Sequence, residues 1–277
     1  MKIRKGMFNL FLHLVLLAGA VFCALPFFWM ISTSLKTSPE VNLTVPQFLP
    51  QKAQWSNYPQ AIFRAATIGV PFIRCFANSA LVALAVTLGV LLTSVLTAYA
   101  FGMMKFPAKN ILFLLFLTPM MIPFEVTLIP NFIIIQKLGW YDSYLALVIP
   151  WTANVFSIYF LRRIFERMDR ELYDAARVDG CGDFRFLWSV AVPMAKPALV
   201  TIGLYTFLGS WNAFLWPLMV TKSPQLSVIQ KGLASFIQEA GTDYQLLMAA
   251  ATLTILPVVL IYLAAQRWFQ EGAEKMF

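Results

Sequence analysis

Few side chains in this 277-residue chain are placed to do chemistry of their own. The single histidine, His13, sits in an apolar run, so there is no H-E-x-x-H metal site and no His-based acid–base pair. Cys23, Cys75 and Cys181 lie far apart, with neither a disulfide framework nor metal-ligand spacing. No glycine is followed by lysine, which removes the phosphate loop G-x-x-x-x-G-K-[ST], and no G-x-S-x-G elbow occurs. The pattern is that of a chain with no catalytic residue, metal site or cofactor of its own, so any energy it uses comes from another subunit.

Two groups of residues remain. Glu125, Asn154, Ser210, Trp211 and Asn212 are polar or amphipathic groups within apolar runs, where each must be satisfied inside lipid. An amide supplies both donor and acceptor for hydroxyls, and an aromatic face stacks on a sugar ring, so these are candidates for a solute path. Counting from Asn110 puts Glu125 near an outer interface, within reach of water. The second group is the polar stretch "ELYDAARVDGCGDFRFLWSVAVPMAKP", Glu171 to Pro197, in a chain that is otherwise mostly apolar.

The elements that must position both groups are membrane helices. The chain is 60% hydrophobic and 12% charged, with mean hydropathy +0.71, whereas soluble domains run at roughly 45–50% apolar and about 25% charged. Charge-free runs at Gly6 to Leu35, Cys75 to Met104 and Leu199 to Thr221 each reach the ~20 residues that cross a hydrocarbon core. Shorter ones at Ile111 to Phe124 and Tyr144 to Leu161, and a last one from Tyr244 to Gln266, bring the expectation to six helices. The first run is too long for a signal-peptide core and is read as a retained helix. Ser94, Ala98 and Gly102, four apart, give the second span a small face for close helix packing. Ser32 to Ile73, with five prolines, reads as an irregular extracytoplasmic excursion holding one short helix, "NYPQAIFRAA".

The net charge of +8 follows from topology. With the N-terminus in the cytoplasm, 14 of the 21 basic residues fall inside and 7 outside, which orients both termini cytoplasmically without invoking a nucleic acid. The loop from Arg162 to about Lys196 holds seven basic and six acidic residues, too balanced for a lipid anchor and suited to meeting a protein. Within it Asp169 can cap a helix, "RELYDAARVD", that stops at Gly180. Leu172, Tyr173, Ala176 and Val178 give this helix an apolar side, and Ala175 with Ala176 permits close approach. Asp183 can cap a second short helix, "FRFLWSVAV", ended by Pro193.

This loop resembles the cytoplasmic motif of importer-type ABC permeases: Glu-Ala-Ala, three residues, Gly, nine residues, Ile-x-Leu-Pro. Here it stands as Asp174, Ala175, Ala176, then Gly180, then Val190, Val192 and Pro193, with the register kept. "FANS" at Phe76 to Ser79, "LIPNF" with "KLGWYDSYLALVIP", and "WNAFLWPL" at Trp211 to Leu218 are similar to the carbohydrate-uptake branch, the maltose-type second permease subunit, over roughly residues 10 to 270. The chain departs from that branch at its end, closing "QRWFQEGAEKMF" in place of a Gly-rich tail.

The resemblance implies an all-α membrane protein with the type I ABC importer permease fold, six transmembrane helices and a cytoplasmic coupling helix. Its expected parts are a cytoplasmic N-terminus (1–9), spans at 10–31, 75–101, 109–129, 143–161, 198–220 and 244–266, extracytoplasmic segments at 32–74 and 221–243, a coupling loop at 162–197 and a cytoplasmic tail at 267–277, with the permease domain over 70–266. It implies ATPase coupling through Tyr173, Asp174, Ala175, Ala176, Arg177, Val178, Asp179, Gly180, Val190, Val192 and Pro193. The implied partners are a homologous second permease, two ATP-binding subunits carrying ATP and Mg, an extracytoplasmic solute-binding protein and membrane lipid, in a bacterial inner membrane. The expected cargo is a sugar or sugar-like solute: an oligosaccharide, polyol, glycerol phosphate or related compound. The competing reading is a secondary solute transporter, which needs coupling carboxylates or broken helices in repeated halves. The sequence shows no repeat and only Glu125 near an edge.

Overall fold

A computed structural model describes residues 2–63, 69, 71–237 and 242–274. Every regular element among them is helical. The long helices are α1 (Lys2–Ser34), α3 (Phe72–Gly102) and α9 (Tyr244–Glu274). Between them lie α2 (Asn57–Phe63), α4 (Lys109–Leu117), α5 (Phe124–Lys137), α6 (Val155–Glu166), α7 (Arg170–Val178) and α8 (Lys196–Trp211). Segments Asn9–Ser34, Phe72–Gly102, Tyr144–Glu166 and Tyr244–Ala264 are long and apolar enough to cross a membrane, which makes four crossings, or six if two bent pairs each count as one.

The two bent pairs overlap the spans expected at 109–129 and 198–220. Lys109–Met121 and Phe124–Lys137 meet at 99°. The reason is local, since Pro119 lies in a tight 3₁₀ turn and Pro123 precedes α5 with extended backbone, and neither can donate to a continuing helix. In the fifth, α8 stops at Trp211 and a separate turn, Leu215–Val220, follows, while at its other end Asp183–Met194 and Lys196–Trp211 meet at 79°.

The chain divides into two compact units, Met1–Ile73 with Gly232–Leu256, and Arg74–Lys231 with Pro257–Phe277. In the first, the segment after α1 folds back on the helix end. Asn57 donates to the carbonyls of Ser34 and Lys36 at 2.8 Å each, Ser34 shares a 2.8 Å bond with Tyr58, and the Lys36 ammonium lies over the Trp29 ring at 4.3 Å. The expected "NYPQAIFRAA" helix is α2 as far as Phe63, and Arg64 to Ala66 lie outside the described residues, as do the last three residues of the expected tail. The Glu40 carboxyl is held below its ordinary value, first by the Thr37 N–H, in a capping box on the short helix Ser38–Val41.

The second unit holds the core: Val82, Val86, Val90 and Ala98 from α3, Leu161 and Phe165 from α6, Phe186 and Leu187, then Ala198 and Ile202 from α8. The small face of α3 is used for close approach. Ser94 and Ala98 are fully buried, and a Cβ on Gly102 would stand 3.0 Å from the Phe165 Cβ. Gly89 is tighter still, its would-be Cβ 2.6 Å from Thr152 Cγ2, and Thr93 donates to the Thr152 carbonyl at 2.7 Å. Glycine and threonine thus let α3 lie against the segment leading into α6.

Candidate functional site

The charged stretch forms a compact module. The Asp169 carboxylate accepts from the Glu171 N–H at 3.2 Å, satisfying one of the unpaired donors at the start of α7. At the other end Gly180 has φ +76, its N–H donates to the Arg177 carbonyl at 3.1 Å, and the Cys181 N–H donates to the Ala176 carbonyl at 2.9 Å. Those paired bonds are a Schellman ending, which places the left-handed residue just beyond the cap.

The next turn differs from expectation. Gly182 caps Asp183–Phe186, and the Asp183 carboxylate instead accepts the Tyr173 hydroxyl at 2.6 Å. That bond, with burial and the negative charge of Asp183 behind it, raises the Tyr173 pKa above its ordinary value. The Arg177 guanidinium stands 3.9 Å from the same oxygen, too long and too exposed to add much. The Tyr173 ring meets Phe186 edge-on at 5.1 Å between centroids, and Phe186 and Phe165 both flank Tyr99 of α3. The short helix runs on through a π-helical turn, Leu187–Ala191, and the bend comes at Ala195, two residues beyond Pro193. Pro193 does not end it because it occupies an early position in Val192–Met194.

The expected apolar side of α7 splits. Tyr173 and Ala176 pack against the core with Cys181, Val190 and Val192, whereas Val178 is 88% exposed and Leu172 38%. Val178 lies five positions beyond Tyr173, which is about 140° around a helix, so one face cannot hold both. The outward surface therefore carries Leu172, Asp174, Ala175, Val178 and Asp179, beside exposed Phe184 and Trp188, whose rings meet at 6.2 Å.

At a second place in the same unit, a cavity of about 390 Å³ opens between α3, the start of α5, the segment from Leu147 to Asn154 that leads into α6, α8 and the Leu215–Val220 turn. It is lined by Asn154 and Ser210, two of the five path candidates, together with Phe124, Trp151, Tyr205, Thr206, Gly209, Phe214 and Trp216 among others. The other three candidates are elsewhere. Trp211 is 1% exposed, packed between Phe76 and Phe207 at 5.3 and 5.6 Å. Asn212 is exposed, donating to the Leu208 carbonyl at 3.0 Å and accepting from Gln230 at 3.3 Å. Glu125 is exposed in the first turn of α5, next to the lining residue Phe124. Thr206, one turn before Ser210 on α8, and Gly209, immediately before it, were legible as a polar and a small residue beside that candidate. Trp151 and Tyr205 carried no signal that separated them from packing aromatics.

A polar clamp holds the chain beside this cavity. Asn78 donates to the Gln225 and Ser227 carbonyls at 2.8 Å each and accepts from the Tyr144 hydroxyl at 2.8 Å, and Ser79 accepts from the Ile229 N–H at 2.8 Å. Asp142, at φ +57, accepts from the N–H groups of Lys222 and Ser223 at 2.9 Å each and from the Ser223 hydroxyl. The Ser223 hydroxyl bond, ahead of the two N–H bonds, holds the Asp142 carboxyl below its ordinary value. Two of the motifs noted in the sequence, "FANS" and "KLGWYDSYLALVIP", supply these clamp residues.

The sequence model of the binding-protein-dependent transport system inner membrane component family matches residues 85–275. The chain belongs to this family. It is 31% identical over 268 residues to the sn-glycerol-3-phosphate transport system permease protein UgpE of Brucella abortus (strain 2308), covering 95% of each chain. It is 32% identical over 273 residues to the protein of the same name from Yersinia pestis bv. Antiqua (strain Antiqua), covering 97% of this chain and 96% of that one. Among solved structures it matches a chain of a bacterial ABC transporter involved in the import of the acidic polysaccharide alginate, with TM-score 0.84 and 23% identity over 95% of this chain and 96% of that one. The fold is the type I ABC importer permease fold, and the chain is a permease subunit of an ABC importer. ATP hydrolysis belongs to separate ATPase subunits, and the family has no cofactor of its own. The permease is a multi-pass component of the inner membrane and works with a partner permease, ATPases and a binding protein. A secondary transporter is not favoured.

Proposed function

We propose that this permease carries a sugar or sugar-like solute (an oligosaccharide, polyol, glycerol phosphate or related compound) and that α7 is the element through which the ATPase drives it. The observation that carries the reading is the construction of α7: capped by Asp169, closed by Gly180, and pinned inward through Tyr173 while Ala175 and Val178 face outward. A short helix fixed on one side and bare on the other transmits a push without absorbing it. Asp174, Ala175, Val178 and Asp179 form the contact, Tyr173, Ala176, Val190 and Val192 tie it to the core, Gly180 sets the turn, and Arg177 and Pro193 flank it. The assembly pairs the chain with one homologous permease, two ATP-binding subunits holding ATP and Mg, and one extracytoplasmic binding protein. Both termini lie on the cytoplasmic side, as the basic residues favour. The chain crosses the membrane six times on this reading, the third crossing (109–129) broken between Met121 and Phe124 and the fifth (198–220) entered through the bend at Ala195. Asn154 and Ser210 line the solute path, with Glu125, Trp211 and Asn212 supporting its walls and rim.

The test is to tag the chain, extract it gently from its native membrane and identify what co-purifies by mass spectrometry. Recovery of an ATPase and a second permease is expected, with the ATPase alone lost in Val178→Glu. Recovery of the chain by itself, still moving solute in liposomes, would refute the assignment.

A further inference from the structure

The cavity offers a small, specific set of unused polar valences. Thr206 Oγ1 is buried in the protein and has no hydrogen-bond partner. Ser210, one turn on along α8, makes no side-chain hydrogen bond to a described residue. Asn154 spends its carbonyl oxygen on the Ser157 N–H and hydroxyl at 2.9 and 3.0 Å, which leaves its amide NH₂ as a donor toward the lining. Between Thr206 and Ser210, Gly209 has nothing within 4 Å of where a Cβ would stand. Ser79 also lines it, its hydroxyl oxygen already accepting the Ile229 N–H, and the remaining walls are aromatic or aliphatic, with Trp151 set edge-on against Trp216 at 5.6 Å and tilted against Phe124 at 5.5 Å. The Trp216 N–H is already given to the Ala146 carbonyl at 2.9 Å. A volume of about 390 Å³ falls within the roughly 300–1,000 Å³ typical of small-molecule sites.

This chemistry selects by charge. No lining residue among those described is Lys, Arg or His. Two positive helix ends reach the lining: the start of α6 is closed by the Asn154 carbonyl itself, and the start of α5, at Phe124, carries the acidic Glu125 in its first turn. A phosphate carries a charge of about −1.5 to −2 at neutral pH, and burying an unpaired charge in an apolar site is far costlier than burying hydroxyls that find partners. A hydroxylated ring meets the opposite situation, with apolar faces for its C–H surfaces and hydroxyl and amide groups for its hydroxyls.

We propose that this cavity admits an uncharged, hydroxyl-rich solute and turns away a phosphorylated one, with Thr206 and Gly209 setting the choice. The inference rests on the permease reading above, and it parts from the sn-glycerol-3-phosphate named for the relatives.

The experiment uses the complete importer with its binding protein in membrane vesicles, offered an equimolar mixture of maltose, trehalose, sorbitol and sn-glycerol 3-phosphate, with accumulation read by mass spectrometry with and without ATP. ATP-driven accumulation of at least one neutral member is expected. Thr206→Val, which keeps side-chain volume and removes the hydroxyl, should raise its half-saturating concentration about threefold to tenfold, the range for a lost neutral hydrogen bond. Gly209→Leu, which fills the open space, should abolish uptake while the partner permease and ATPase still co-purify. ATP-driven accumulation of the phosphate, with or without a neutral member, accumulation of no neutral member, or accumulation of a neutral member unaffected by Thr206→Val would overturn the proposal and leave the importer assignment intact. Accumulation that ignores ATP would instead overturn the importer assignment on which the proposal rests.

Discussion

Gly180 provides the sharpest test of the coupling module, because its cost is purely conformational. Its φ of +76 lies in the left-handed region, and nothing stands within 4 Å of a would-be Cβ, so a larger side chain meets no clash. Gly180→Ala then costs about 1–2 kcal/mol, the left-handed penalty for an L-residue, which shifts the balance between the closed and frayed turn roughly 5- to 30-fold. Gly180→Asn, which tolerates that region, should cost less than Gly180→Ala. Gly180→Pro cannot reach a positive φ and also removes the N–H donated to the Arg177 carbonyl, so its cost exceeds that of Ala and both bonds of the Schellman ending are lost. The assay is solute taken up per ATP hydrolysed in vesicles holding the full importer, normalised to the amount of this chain inserted. Coupling should fall in the order Gly, Asn, Ala, Pro, with insertion unchanged. A flat series, with Gly180→Pro as well coupled as the parent, would refute the argument that α7 must end in a fixed turn to transmit force.

Two further outcomes follow from close contacts in the second unit. Gly89→Ala drives a Cβ to 2.6 Å from Thr152 Cγ2 and should destabilise the α3 packing by about 1–3 kcal/mol, whereas Gly19→Ala, in open space, should not; thermal unfolding in detergent with equal midpoints for the two would contradict the packing assignment. The Asp142 clamp should be acid-sensitive. Its carboxyl is held below the ordinary 3.8, so the stabilisation is fully present at neutral pH and is lost as pH falls below 3.8 through the folded value. Protection of the Lys222 and Ser223 amides, measured by hydrogen exchange relative to unstructured amides at the same pH, should therefore fall as the parent is titrated below 3.8 and be low already at neutral pH in Asp142→Asn, and equal protection throughout would refute the clamp.

Much of this protein is written in local sequence. Apolar run length fixes the helices that cross lipid because the bilayer core has one thickness and leaves no backbone group unpaired. Asp169 and Gly180 mark the ends of α7 because capping and left-handed backbone depend on one residue and its immediate neighbours. The loop motif points to the family for the same reason, since its spacing survives changes of residue.

Other features depend on neighbours that are remote in the chain. Whether Asp183 caps its own helix or receives the Tyr173 hydroxyl depends on how α7 packs over Phe186, ten or more residues away along the chain. The apolar side of α7 could not be divided into inward Tyr173 and outward Val178 without the core that one of them meets. Trp211 looked like a solute-stacking aromatic, and the fold buries it against Phe76 of another helix, leaving Thr206 and Gly209 on the cavity wall. The third span reads as one apolar run, and its 99° bend, with Pro119 and Pro123 at the break, shows only in the tertiary structure. The sequence by itself determined a helical membrane permease and the residues that start and stop its coupling helix, because those are properties of short segments. Only the tertiary structure decided which faces are used, because a side chain's role is set by what packs against it.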